Sequence, residues 1–152
     1  VHETEHSLEV QVPFLQHTLG DFSMVPLIVG TTEDRTMKKI GESLADIIAS
    51  DGRRVGLVIS TDLSHYHSYD EARSIDGRFI DALLTMDENN LRRMVETQEA
   101  EACGIGPIVI GLIACKKLGA NNVQVLQYAT SGDTNGDKKQ VVGYLSAAIL
   151  GG

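Results

Sequence analysis

The chain has 152 residues, with 13 basic side chains against 21 acidic ones and a formal net charge of −8. It is 42% apolar and 22% charged, an ordinary globular balance that argues against disorder, collagen-like repeats and a coiled coil. The length suits one domain with a real core, taken as a single α/β domain over residues 1–152. The longest apolar runs, Val55–Ile59 and Ile108–Cys115, fall short of the roughly 18 residues that a membrane span needs. No signal-peptide pattern opens the chain, and no Lys/Arg cluster offsets the acidic balance. A cytoplasmic protein with neither membrane nor nucleic acid as partner is expected.

The predicted elements follow in chain order. Leu8, Val12, Leu15 and Leu19 recur near the helical period over residues 7–19, with Ser7 as N-cap and Pro13 delaying or kinking the start. Met24–Val29, closed by Gly30, reads as a buried strand. Asp34 caps a helix carrying Met37, Ile40, Leu44, Ile47 and Ile48, which stops near Asp51-Gly52. Val55–Ser60 reads as a second buried strand. Amphipathic helices follow over Glu71–Met86 and Asp87–Glu96. Pro107 suits the first turn of a further helix that runs to about Lys117 and is closed by Gly119. Val123–Thr130 and Val141–Leu150 are strands expected to pair antiparallel across the turn-rich Ser131–Lys139. Alternating strands and helices predict an α/β fold, a mixed sheet with helices on both faces.

Four constellations carry chemistry. His2-Glu3-Thr4-Glu5-His6 fits H-E-x-x-H, the pattern in which two His bind zinc and Glu activates water. Ser60-Thr61-Asp62-Leu63-Ser64-His65-Tyr66-His67 directly follows a predicted strand, where open α/β sheets place their ligands. His65 can ligate a metal or move a proton, and Asp62 can orient it; the plainer alternative is a loop whose Asp and Ser satisfy turn amides. His67 and Tyr66 read as loop surface. Cys103, in Ala102-Cys103-Gly104-Ile105-Gly106-Pro107, precedes a helix start whose unpaired amides favour a negatively charged sulfur; a small buried thiol is the competing reading. Thr130-Ser131-Gly132 at a strand end either lines a pocket or simply joins two strands. Cys103 and Cys115 would lie roughly 18 Å apart along a helix, beyond the about 7 Å a disulfide tolerates, so both are expected to be free.

Taken together, Glu5-His6-Ser7 through Pro13-Phe14, Ser60 through Tyr66, Cys103 through Pro107, Tyr128 through Asp133 and Val142-Gly143-Tyr144 resemble the Memo-like family. Its prokaryotic members are called the B component of the AmmeMemoRadiSam system. The resemblance runs through essentially the whole chain but matches only the later half of a Memo-like protein. With Val rather than Met first, it implies a fragment or processed piece.

The family is similar to the class III extradiol dioxygenases, which hold non-haem Fe(II) in an α/β fold. The resemblance implies a metal-binding, redox-related protein with Cys103 as metal ligand and His65 as ligand or acid–base residue. Asp62 would orient His65, and His6 and Ser131 would be pocket groups. The two further His ligands belong to the absent amino-terminal half. Iron or copper suits a mixed His/Cys set, and thiolate softness also admits zinc; no nucleotide cofactor is implied. The alternatives are a non-catalytic module holding a peptide or small ligand in the same cleft, and a zinc hydrolase built on His2-Glu3-x-x-His6. The expected cover for the sheet edge left open is the missing amino-terminal segment, a second copy or a partner chain.

Overall fold

The computed structural model describes residues 5–151. They fall into two compact units divided after Gly30.

In the first unit a 3-10 turn at Glu9–Gln11 leads into helix α1, Val12–Leu19. Pro13 occupies the first turn of α1, where its missing N–H costs nothing. The proline therefore delays the helix predicted from residue 7. Gly20, at φ 69°, ends it. The expected strand over 24–29 does not form, and Val25 is 82% exposed.

The second unit holds α2 (Asp34–Ser50), β1 (His65–His67), α3 (Tyr69–Leu84), α4 (Glu88–Glu96), α5 (Ile105–Lys117), β2 (Ala120–Thr130), α6 (Ser131–Asn135) and β3 (Val141–Gly151). Glu33 rather than Asp34 caps α2, its carboxylate accepting the Thr36 N–H at 3.2 Å. Asp87 caps α4 by accepting the N–H groups of Asn89 and Asn90 at 3.1 and 3.0 Å. Pro107 sits in the first turn of α5, and Gly119, at φ 93°, follows its last turn, as the residue types predict.

The chain is α/β, with a three-stranded sheet in the order β1-β3-β2. Every pairing among the described residues is antiparallel, where a mixed sheet was expected. Besides the 24–29 segment, the difference lies in Val55–Ser60, which also forms no strand. A strand needs a hydrogen-bonded neighbour, and no described segment supplies one here. Instead, Ile59 packs into α5 at Gly111, and Thr61 packs against Gly104 just before that helix. Val55 and Val58 are left 45% and 58% exposed.

The core gathers Leu63, Phe79, Leu83, Leu91, Ile108, Leu112 and Val123. Each such side chain contributes about 1.5–3 kcal/mol on burial. On the other side of α5, helix α2 approaches closely through Gly41, where a Cβ would meet the Ile110 carbonyl oxygen at 2.8 Å and Ile113 at 2.9 Å. No helix among the described residues is long and apolar enough to cross a membrane.

Candidate functional site

The loop 61–64 runs from Gly104, just before α5, to Gly143 on β3, and its geometry follows from both contacts. Leu63 N–H donates to the Gly143 carbonyl at 3.0 Å, and Gly143 N–H donates to the Ser64 carbonyl at 2.9 Å. At the other end, Thr61 Oγ1 accepts the Gly104 N–H at 2.8 Å and donates to the Asp62 carbonyl at 2.9 Å. Cys103 joins the same loop: its N–H donates to the Asp62 carbonyl at 3.2 Å, and its Sγ accepts the Asp62 N–H at 3.2 Å. His65 Nε2 stands 3.5 Å from Asp62 Oδ2. Asp62 thus touches both Cys103, through its backbone, and His65, through its carboxylate.

His65 and Cys103 line one cavity of about 750 Å³, together with His67, Glu71, Arg78 and Glu101. Leu63, Ile75 and Val95 supply apolar wall. Cys103 is exposed, so the reading of a buried thiol does not hold for it. Cys115 lies part-buried within α5, where burial pushes its thiol up. Both cysteines are free.

His67 is a correction to the sequence reading. It is not loop surface but part of β1, its side chain 26% exposed between two carboxylates. Nε2 lies 2.8 Å from Glu101 Oε1, and Nδ1 lies 3.5 Å from Glu71 Oε1. The Glu101 hydrogen bond and charge outweigh burial and raise the His67 pKa above its ordinary value. Glu101 Oε2 also accepts the His65 N–H at 3.2 Å. One carboxylate therefore satisfies an edge-strand amide and ties the 98–103 loop to β1. Tyr66 likewise lies in β1 rather than in a loop, but at 72% exposed it is surface, as expected.

Tyr144, on β3, has its phenol pushed up by burial and by the Asp62 charge. Ser131 is engaged elsewhere: its Oγ accepts the Val142 N–H at 3.1 Å, and it is absent from the cavity lining. It opens α6, whose Thr130 and Asp133 form a reciprocal cap. His6 belongs to the first unit, where Nδ1 pairs with Glu9 at 2.8 Å. Of the H-E-x-x-H pattern, His2 and Glu3 lie outside the described residues.

Sequence reasoning missed Glu101, Arg78 and the buried Asp76. Asp76 had a signal, since it lies four residues after Ala72 and three before Phe79, inside the apolar stripe of α3.

A family model described as "Memo-like protein" matches residues 1–148. The chain belongs to the Memo-like family. It is 41% identical over 150 residues to a MEMO1 family protein of Methanosarcina mazei, covering 98% of this chain and 55% of that one. A MEMO1 family protein of Methanopyrus kandleri is 39% identical over 98% of this chain and 52% of its own length. One from Sulfolobus acidocaldarius is 41% identical over 95% and 51%. The chain thus spans about half the length of the curated Memo-like relatives it matches.

The donor set can be tested against the metal that the family resemblance implies. Among the described residues no three His, Cys, Asp or Glu side chains are grouped to hold an ion. The described residues do not make a complete metal site.

Proposed function

We propose that this Memo-like chain contributes one wall of a ligand cleft, with Cys103 and His65 as a partial donor set completed by groups from outside the described residues. The observation that carries this reading is that Cys103 and His65 line the same cavity while Asp62 contacts both. In this reading Cys103 is a metal ligand, and His65 is either a ligand or the group that holds and moves a proton at Nε2. Asp62 orients that imidazole through Oδ2. Iron, copper or zinc is consistent with sulfur and imidazole donors. The wider role is redox-related and dioxygenase-like, acting in the cytoplasm, with a mixed sheet formed once the rest of the domain is present.

We further propose that the complementary part of a Memo-like domain covers the apolar side chains of Val55, Leu57 and Val58. Those three are exposed here, and the matched relatives are nearly twice as long.

The test is metal analysis of the chain together with the rest of its domain. Cys103→Ala and His65→Ala are each expected to lower metal content. Metal retained in both variants rejects the site, whereas loss after His2→Ala alone supports the zinc-hydrolase alternative.

A second reading draws on the cavity itself. Arg78, Glu71 and Glu101 on its wall suit a small polar ligand or peptide held without turnover. Oxygen uptake with catechol-type compounds separates the two: uptake supports an enzyme, and binding without uptake supports the module.

A further inference from the structure

Asp76 is fully buried, yet no described Lys, Arg or His forms an ion pair with it. An ionisable carboxylate in such a place is costly unless donors compensate it. Three donors converge on it. Oδ1 accepts the Ser64 N–H at 3.0 Å, and Oδ2 accepts the Ser64 hydroxyl at 3.0 Å and the Tyr128 hydroxyl at 2.7 Å.

Their placement in the sheet is informative. Ser64 immediately precedes β1, Tyr128 lies on β2, and β3 runs between those strands. The carboxylate reaches from α3 across β3 at Gly143, where any Cβ would collide with it. One carboxylate thus fixes the backbone and side chain of Ser64, next to His65 and two residues after Asp62. Apolar packing could fill the same volume but could not hold an amide and a hydroxyl in fixed directions.

We propose that Asp76 is a positioning residue that sets the geometry of the Asp62–His65 pair through Ser64. This role rests on the reading of that pair given above. It requires no metal and is tested without one.

The measurement is the imidazole ¹⁵N spectrum of His65 at one fixed pH, recorded with and without Asp62→Asn. In the native background Asp62→Asn is expected to shift the His65 ring nitrogens. In the Asp76→Asn background that shift is expected to shrink about twofold or more, the signature of coupled sites. Tyr128→Phe removes the bond that does not involve Ser64 and is expected to leave the shift whole.

If Asp76→Asn lowers the melting temperature but leaves the Asp62-dependent shift intact, Asp76 is structural only and the proposal is overturned. If that variant does not fold, Ser64→Ala decides: attenuation supports the proposal, and an intact shift overturns it. No effect of Asp62→Asn on native His65 overturns the pair and the proposal together. Failure of the metal reading leaves all of these shifts unaffected.

Discussion

Cys103 and Asp62 exchange two hydrogen bonds, the Cys103 N–H to the Asp62 carbonyl and the Asp62 N–H to the Cys103 sulfur, each 3.2 Å. Residues 41 positions apart in sequence are thereby held in a short ladder-like exchange outside any strand. The thiol is fixed by backbone as much as by its own side chain.

Thr61 supports that exchange by accepting the Gly104 N–H and donating to the Asp62 carbonyl. Thr61→Val keeps the shape and removes both bonds. It is expected to cost about 1–3 kcal/mol in urea unfolding. Cys103 should also be alkylated faster by iodoacetamide, because its loop is less restrained.

The His67–Glu101 contact gives a pH dependence of defined sign. Because the folded pKa of His67 is raised above 6.5, its stabilising contribution is fully present below the unfolded value. That contribution is lost as pH rises through the folded value. Stability against urea is therefore expected to fall as the pH climbs above about 6.5. Glu101→Gln should flatten that dependence, and an unchanged slope would show that the contact contributes nothing.

Gly41 sets the approach of α2 to α5, since a Cβ would press on backbone and a branched side chain at 2.8–2.9 Å. Gly41→Ala gains helix propensity but overpacks the crossing. The net expectation is a loss of about 1–3 kcal/mol, read from thermal or denaturant unfolding. A stabilised variant would mean that the two helices move apart freely.

If a complementary part of a Memo-like domain covers the exposed Val55, Leu57 and Val58, as proposed, the chain without that cover should associate through them. The chain alone is expected to self-associate in sedimentation velocity and to bind a hydrophobic dye. Leu57→Lys with Val58→Lys should reduce both effects. A monomer that binds no dye contradicts the proposed cover.

The fold was legible where the chain satisfies itself locally. Periodic apolar residues marked α3 and α4, Pro107 and Gly119 bracketed α5, and the strands β2 and β3 pair antiparallel as expected. Val55–Ser60 misled because apolar β-branched residues report a preference for burial, while a strand also needs a neighbour's amides and carbonyls. The site was half legible. Asp62, His65 and Cys103 stood in short motifs beside predicted element ends. Glu101 and His67 meet across 34 positions, and no local pattern encodes that meeting. Asp76 was hidden by the habit of assigning charges to a helix's wet side.

Gly104 and Gly111 make two recesses at α5, one taken by Thr61 and the other by Ile59. They act as a vernier: the spacing of two side chains along the incoming segment is gauged against a rigid rod rather than against a neighbouring ladder. Adding or deleting one residue between 59 and 61 would put one tooth out of its notch. Such an indel would displace the thiol-bearing loop without altering any cavity-lining residue.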